Sequence, residues 1–449
     1  IGIPLSELES RAPTSPPPPS GPVILRDRPE VLGWEPPELT GLAGRNGSVY
    51  PAEPPEPLYD VLGQSETFYD DSTSNTIAAT CRVVATDGET TLYIYVEDSE
   101  WDPAPTSDGK VNQDMVDFLA ASFVQSGGDN DIHDWLTAIY GDEWGTHGYS
   151  NLIGNTDEIT ILVWNIGNDG AGGIVGYFWA KDNFTTSSIS YSNERVMFYL
   201  DSQSLGKRDP MTSTWEEEHF WPQEMVATLA HEFQHMIGFY QRDILKGVST
   251  PTWLNELMSM VSEDLVGKKL YDAFLPESYD IDLEGPRGVP PSYGGESGAA
   301  GPAGNTGGRL PYFNAYPGVS LSYWPSMSAS LDVTLAHYAV SYAFGAFLSR
   351  NHKGADLMGA MMDVSSGNGA TVVESAISAV SGSGGSAFGE LLLEWGAAVL
   401  LSDDATVDAP LRLNAGTWID DATTYTGYEL GSINHYNYLR EGSGSLSGP

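Results

Sequence analysis

The spacing of apolar positions predicts strands in the first half of the chain and helices in the second. "TIAATCRVVAT" and "TLYIYVED" have the short apolar runs of strands, and the turn dipeptide Asp87-Gly88 between them predicts a hairpin. Further strands are predicted in "DEITILVWNIG", "GGIVGYFWA" and "ERVMFYLD". Strands followed by helices are typical of an α+β domain.

Apolar residues three and four positions apart predict the helices. They lie in "NQDMVDFLAASFVQS", from Pro222 to Gln241, from Thr252 to Val266, in "LAHYAVSYAFGAFLSR" and in "AFGELLLEWGAAVLLS". Gly267 is expected to end the helix that starts at Thr252, since glycine is common just after a helix.

The pattern suggests five consecutive parts. They are a Pro-rich disordered spacer (1–24), an N-terminal β-rich segment (25–108), a part that ends with the central helix (109–245), a mainly helical subdomain (246–415) and a strand-like segment with a tail (416–449). The Gly-rich stretch 285–308 is long for a loop in a compact domain, and we expect it to border the functional cleft.

Charge narrows the choice of partners. The chain has 61 Asp and Glu against 20 Lys and Arg, a net charge of −41, which repels nucleic acid phosphates and anionic lipid headgroups. No apolar run approaches the roughly 18–20 residues that span a bilayer. The start at Ile1 and the Pro-rich stretch lead us to expect a secreted or surface-anchored bacterial protein, monomeric, from which a signal was removed.

Two acidic stretches raise the question of calcium. "YDIDLEG" and "GGDNDIHD" alternate carboxylates as calcium loops do, but neither has the glutamate that completes such a loop. Calcium is therefore possible but unsupported. The single cysteine, Cys81, excludes an intramolecular disulfide and is expected to be a buried apolar residue.

The chemistry is concentrated in "ATLAHEFQHMIGFYQRD", which contains His231, Glu232 and His235. On a helix, residues four apart present both imidazoles to one point. Two histidines at this spacing hold zinc, and the carboxylate of Glu232 takes the proton as zinc-held water attacks a carbonyl. A catalytic zinc needs a third protein ligand as well.

The third ligand has to come from another part of the chain. A third histidine three residues after Gly238 is excluded, because position 241 is glutamine. The next predicted helix, "TWLNELMSMVSEDL", offers Glu256, which lies 21 residues after His235. That separation lets one helix end and a second cross it.

"HEFQH" followed by "WLNE" and "ED" resembles the gluzincin metallopeptidases, and within them the hyicolysin family most closely, over roughly residues 60–440. The resemblance implies zinc ligands at His231, His235 and Glu256, with Glu232 as general base. It also implies a zincin-like catalytic domain, with a mixed sheet and an active-site helix, followed by a mainly helical C-terminal subdomain.

The chain departs from thermolysin-like relatives at Met260, where they have an acidic residue that orients a histidine. We expect Glu263 or Asp264, with Asn255, to hold the ligands in place instead.

Amide hydrolysis also needs a donor for the developing oxyanion. Tyr338 resembles the transition-state tyrosine of gluzincin aminopeptidases and is the preferred candidate, followed by Tyr342 and His337, although packing would explain each aromatic side chain too. The other histidines have no partner at ligand spacing, so surface or capping roles are expected for His133, His147, His219, His352 and His435.

These observations predict a zinc-dependent endopeptidase that hydrolyses proteins or peptides. Two alternatives stay open. One is a surface adhesion or binding protein that keeps the zincin fold with little turnover, which the intact set of four residues argues against. The other is an aminopeptidase, which is disfavoured because no "GxMEN"-like anchor for the substrate amine precedes the motif.

Overall fold

A computed structural model describes most of the chain. It covers residues 24–40, 60–274 without 169, 171–172, 211 and 218, then 309–325, 331–402 without 383–386, and 404, 406–408, 411–413, 430, 433 and 435–438. The predicted Gly-rich border of the cleft, the spacer up to residue 23 and most of the predicted C-terminal segment lie outside these residues.

A six-stranded mixed sheet forms the centre of the first half, in the order β2-β3-β4-β5-β8-β7. Its strands are β2 (Ser65–Tyr69), β3 (Thr76–Asp87), β4 (Thr90–Glu97), β5 (Glu158–Trp164), β7 (Gly176–Phe178) and β8 (Val196–Asp201). β5 is parallel to both β4 and β8, and the other pairs are antiparallel. The strand prediction and the α+β class are thus confirmed, and the sheet joins strands from both sides of residue 108.

The hairpin predicted at Asp87-Gly88 joins β3 to β4, with Asp87 opposite Thr90. Gly88 has a φ of 56°, which glycine adopts without the steric cost that other residues incur. Side chains alternate along β4, because successive residues of a strand point to opposite faces. Ile94 joins the larger core under the helices, whereas Tyr93 and Tyr95 join a smaller aromatic cluster on the other face, where Cys81 is buried as expected.

The helices follow the predicted positions, with some different ends. They are α1 (Pro29–Leu32), α2 (Gln113–Phe123), α3 (Ile132–Tyr140), α4 (Ser202–Leu205), α5 (Phe220–Gly238), α6 (Thr252–Phe274), α7 (Arg309–Ala315), α8 (Leu331–Asn351), α9 (Gly354–Asp363), α10 (Gly369–Ser381) and α11 (Phe388–Leu401). A π-helical turn, Phe239–Ile244, continues α5.

The prediction that Gly267 ends α6 is wrong, because the helix continues to Phe274. A glycine inside a helix costs only about 1 kcal/mol relative to alanine, and the "KKL" after it favours helix. In the part of the chain that the structure describes, no helix combines the length and the apolar character needed to cross a membrane.

The segment 24–40 crosses the edge of the sheet. Its strand β1 (Ile24–Leu25) pairs in parallel with β6 (Gly173–Ile174), which directly precedes the edge strand β7. The main-chain N–H of Val175 donates to the carbonyl of Leu25 at 2.9 Å, extending that pairing by one residue. A stretch without periodicity in the sequence therefore contributes a strand beside the central helix α5.

Candidate metal centre

Four buried side chains converge between the sheet and the helices: Asp27, His231, His235 and Glu256. Each offers one ligand atom, and these four atoms all lie within 4.8 Å of one another. The histidines lie one turn apart on α5, Glu256 comes from α6, and Asp27 comes from the segment 24–40. The structure thus brings together the three sequence-predicted ligands and adds a fourth residue that the sequence did not indicate.

Close packing fixes the elements that carry these residues. A methyl group on Gly176 would lie 2.5 Å from Cγ2 of Thr228 and 2.9 Å from the carbonyl oxygen of Tyr199, so only glycine lets β7 approach α5 this closely. A methyl group on Gly345 of α8 would lie 2.7 Å from Val261 and 2.9 Å from Leu257 on α6. The sheet edge, α5, α6 and α8 are therefore held tightly around the cluster.

The spacing of the donor atoms fits a tetrahedral ion. Nε2 of His231 lies 3.0 Å from Nε2 of His235 and 3.4 Å from Oε2 of Glu256. Nε2 of His235 lies 3.5 Å from Oδ2 of Asp27 and 3.8 Å from Oε2 of Glu256. Donors about 2.0–2.1 Å from a tetrahedral zinc ion would lie about 3.3 Å apart, in the middle of this range.

Two buried carboxylates that accept no hydrogen bond within the described part of the chain also support a metal ion at this position. Among the described residues, neither side-chain oxygen of Glu232 or Glu256 accepts a hydrogen bond within normal limits, although both side chains are buried. Burial raises the pKa of both carboxyl groups well above the ordinary value, and the nearby Asp27 adds to the rise. A cation between these groups would compensate the cost of burying them, so the residues fit a metal ion.

Each histidine is oriented through its other ring nitrogen. Nδ1 of His231 donates to Oε1 of Glu263 at 2.7 Å, and Nδ1 of His235 lies 3.0 Å from the hydroxyl of Ser259. Such contacts leave Nε2 of each ring directed at the ion site. Burial lowers the pKa of His231 to about 4, and Glu263 opposes that shift only in part, so the ring is neutral and its Nε2 lone pair is available.

Of the two candidates for holding the ligands, only Glu263 contacts a histidine. Asp264 lies on another side of α6, where it accepts hydrogen bonds from Arg350 at 2.8 Å and from Tyr342 at 3.2 Å. Neighbouring residues on a helix point in directions roughly 100° apart, so both could not face the same ring. Asn255 lines a cavity beside the cluster.

Arg26 forms a buried ion pair with Glu263. Its guanidinium donates twice to Glu263, at 2.9 and 2.8 Å, once to Glu224 at 3.0 Å and once to Thr228 at 2.6 Å. Burial alone would raise the pKa of Glu263, but Arg26 and His231 hold it low, at about 2. A fully ionised Glu263 is a strong acceptor for the ring N–H of His231.

Tyr338 reaches the cluster, whereas the other two donor candidates do not approach it in the contacts observed. The buried hydroxyl of Tyr338 donates to Oδ2 of Asp27 at 3.3 Å. The guanidinium of Arg309 lies over the Tyr338 ring, 4.7 Å from its centre. Tyr342 bonds to Asp264, and His337 packs against Trp324, 5.9 Å between ring centres.

A cavity of about 220 Å³ opens beside the cluster. Its walls come from the N-terminal segment, the sheet edge, the end of α5 and the start of α6, and include Asp27, Trp34, Phe178, His235, Asn255 and Glu256. The sequence could not place Asp27 here, because it lies about 200 positions from the motif in a stretch without periodicity. Ser259 could have been suspected, since it faces the same way as Glu256 one turn later on α6.

The remaining histidines lie outside the cluster, but the expectation of surface or capping roles is wrong for His147 and His435, which are buried. His133 contacts Glu143 at 3.3 Å, His147 contacts the carbonyl of Ile153 at 2.7 Å, and the main-chain N–H of Glu216 donates to His219 at 3.1 Å.

Comparison with known proteins points to a metallopeptidase. Residues 70–278 match the family model Peptidase M30, a range that contains His231, Glu232, His235 and Glu256 but not Asp27. Over 130 residues the chain is 28% identical to the neutral metalloprotease ShpI of Staphylococcus hyicus. The aligned part covers 28% of this chain and 27% of that protein. These findings relate the chain to metallopeptidases over part of its length.

Proposed function

We propose that the protein is a zinc-dependent endopeptidase of the gluzincin type, with a zincin-like catalytic domain. The observation that carries the proposal is the buried set of His231, His235 and Glu256 at zinc spacing, with Glu232 beside it. The M30 match and the similarity to a neutral metalloprotease support it.

Each residue of the chain has a defined part in this chemistry. His231, His235 and Glu256 would hold zinc, which when bound polarises the scissile carbonyl and makes water acidic enough to react near neutral pH. Glu232 accepts the proton of the attacking water and then delivers it to the leaving amine. Glu232 is buried beside the three proposed ligands, so its carboxylate is positioned at the metal centre and shielded from bulk water.

Tyr338 is the proposed oxyanion donor. Its hydroxyl lies next to Oδ2 of Asp27. This oxygen is the fourth donor atom of the cluster, in addition to those of the three predicted ligands. A substrate carbonyl that replaced the Asp27 carboxylate at this point would receive the Tyr338 hydrogen bond as its oxygen becomes negatively charged.

The sheet edge supports a peptide substrate that extends to both sides of the site. β7 is the edge strand of the six-stranded sheet and packs against α5, and β6, which directly precedes it, already pairs with an extended segment, β1. Addition of a strand to such an edge is a common mode of peptide recognition. The described residues provide no specific support for the aminopeptidase or adhesion alternatives, and the expected monomeric state and extracellular location stay predictions.

The test is casein hydrolysis by the full chain and by Glu232→Gln, each with and without a chelator, together with elemental analysis of bound metal. Because Asp27 is part of the cluster, the pair is measured in the native and in the Asp27→Ala background. We expect zinc in all four proteins and hydrolysis only where Glu232 is present. Equal hydrolysis with and without Glu232 in the Asp27→Ala background would contradict the proposal.

A further inference from the structure

The segment 24–36 occupies the region where the proposed substrate would lie. Asp27 contributes a carboxylate oxygen to the metal cluster, 3.5 Å from Nε2 of His235. A catalytic zinc site has three protein ligands and keeps its fourth position for water or substrate. With Asp27 in place, the chain supplies four donors, which is the arrangement of a closed site.

Buried ion pairs anchor the segment on one side of Asp27. The Arg26 guanidinium makes four hydrogen bonds, to Glu263, Glu224 and Thr228, and its side chain is only 2% exposed. On the other side, Arg28 forms an ion pair with Asp70. Two charged anchors therefore fix the carboxylate between them.

Main-chain pairing and aromatic contacts hold the rest of the segment. β1 takes up the backbone groups of β6 that a substrate strand would use. Trp34 packs edge-on against Trp179 and Phe184, with ring centres 6.3 and 6.1 Å apart. Further along, the amide N–H of Ser150 donates to the carbonyl of Thr40 at 2.8 Å.

These contacts hold the backbone of Asp27 in a conformation that a residue other than glycine rarely adopts. Its φ is 156°, in the region of positive φ that residues other than glycine rarely adopt. Unfavourable backbone angles persist where the surroundings hold a residue in place, and they are concentrated at functional sites.

We propose that residues 24–36 act as an internal inhibitor, in which Asp27 takes the fourth donor position of the metal centre and the segment covers the substrate edge. The proposal rests on the proposed function. The chain as described is then latent, and the segment must leave the cleft before substrate binds. The residues that match the family model, 70–278, do not include the inhibitor.

Cobalt-substituted full-length protein tests this inference without relying on turnover. Visible spectra are compared for the native chain, Asp27→Ala and Asp27→Asn, with Glu35→Ala as the control in the same segment, because Glu35 is exposed whereas Glu30 lies 3.6 Å from the anchor Arg28. Acetohydroxamate, which binds a metal only where a position is open, is then titrated into each. We expect both Asp27 variants to differ from the native spectrum and to bind the probe about tenfold or more tightly, as for a site freed from a closed state.

The outcomes separate the two proposals. A native protein that binds cobalt and acetohydroxamate as well as Asp27→Ala does would overturn the inhibitor but leave the metal centre intact. No cobalt in any variant would overturn the metal centre and the inhibitor together. As a second readout, the double variant Arg26→Ala, Asp27→Ala should hydrolyse casein at least about tenfold faster than the native chain, and Glu35→Ala should match the native chain.

The two carboxylates that bind Arg26 lead to a second inference, which concerns the side chain that the substrate presents to this pocket. Once the segment leaves, Glu224 loses the guanidinium that paired with it, whereas Glu263 still contacts Nδ1 of His231. The buried Arg309 lies close enough to act electrostatically on both carboxylates, so the pocket keeps one cation for its two acidic groups. Burial raises the pKa of Glu224, and Arg26 is the first group that opposes the rise. We infer that this acidic pocket is a subsite for the basic side chain of a peptide substrate, an inference that also rests on the proposed function.

Agmatine, an alkylguanidine, is the probe for the pocket. It should raise the melting temperature of Arg26→Ala, with little effect on the native chain or on the double variant Arg26→Ala, Glu224→Gln. In the Arg26→Ala, Asp27→Ala background, peptides that differ only by Arg or Leu at one position should be cleaved with an Arg preference. Glu224→Gln should reduce that preference by about tenfold, the loss of one charged hydrogen bond, while the exposed Glu216→Gln keeps it.

Two results would overturn the subsite. One is agmatine binding that Glu224→Gln does not weaken, and the other is equal cleavage of the Arg and Leu peptides. Failure of every peptide to be cleaved, with metal bound, would instead count against the proposed peptidase.

Discussion

Two clusters of the described residues have their carboxylates close enough to bind a metal ion, and they use those carboxylates differently. In the first, Asp27, His231, His235 and Glu256 point their donor atoms at one another. In the second, Asp87, Asp131 and Asp134 lie around the start of α3, where Asp131 is buried and the other two are partly exposed.

The carboxylates of the second cluster already accept hydrogen bonds from the main chain. Asp131 accepts from the N–H groups of Asp134 at 3.0 Å and Gln125 at 2.6 Å, so it caps α3, and Asp87 accepts from Gly127 at 3.2 Å. Glu256 of the first cluster accepts no such bond among the described residues. Proximity of acidic groups therefore indicates a metal site only when their lone pairs are not already used by the fold.

Removing one carboxylate or imidazole from each cluster tests most directly whether only the first cluster binds a metal ion. In the Asp27→Ala background, His235→Ala should reduce bound zinc from about one ion per chain to almost none, since a site with two protein ligands left does not retain the ion. Asp87→Ala should keep the full amount. Elemental analysis after dialysis measures both, and zinc lost equally from the two variants would contradict the assignment.

Glu232→Gln separates the base from the ligands. We expect full metal content and a fall in kcat of roughly 10²–10⁴-fold, the usual contribution of a positioned base. The measurement is peptide hydrolysis in the Asp27→Ala background. Loss of the metal along with activity would show instead that Glu232 belongs to the ligand set.

Tyr338→Phe tests the donor. The variant keeps the ring under Arg309 and removes only the hydroxyl, so kcat should fall about 10²–10³-fold with KM little changed. Tyr342→Phe is the matched control on the same helix and should leave kcat near the parent value, because its hydroxyl bonds to Asp264. Equal effects of the two substitutions would remove the case for Tyr338.

Substitutions of Glu263 and Asp264, which are adjacent on α6, test which of them orients a histidine. Glu263→Gln should weaken zinc binding by about 10–100-fold, because it loosens the orientation of His231. Asp264→Asn should leave zinc affinity unchanged but lower the free energy of unfolding by about 3 kcal/mol, because it breaks the buried pair with Arg350. Competition with a chelator and denaturant unfolding separate the two effects.

The smallest expected effect is a change in how the stability of the fold depends on pH, and it comes from Asp131 in the second cluster. Burial raises the pKa of Asp131 to about 6, above its value in an unfolded chain. The folded state then binds the proton more tightly, so this group favours folding at low pH, and its contribution is lost as pH rises from about 4 to 6. Asp131→Asn should flatten that part of the stability profile, as measured by urea unfolding at several pH values.

Local sequence patterns were enough to predict the strands, the central helices and the two histidines and the glutamate that we propose as ligands and that the structure brings together. Helix periodicity fixes the spacing of His231 and His235, and the next amphipathic stretch offers Glu256. Asp27 could not be predicted, because its position depends on chain topology and not on local pattern. The prediction for Gly267 is wrong because a helix end depends on the residues after a glycine as much as on the glycine itself.

The distribution of the donors along the chain has a thermodynamic consequence. Asp27, the two histidines of α5 and Glu256 of α6 come from three segments, so a bound ion would act as a crosslink that exists only in the folded state. Free zinc at a thousand times its dissociation constant would add about 4 kcal/mol to the free energy of unfolding. The persistence of the folded protein would then depend on the zinc supply of its surroundings, in addition to the packing of its own core.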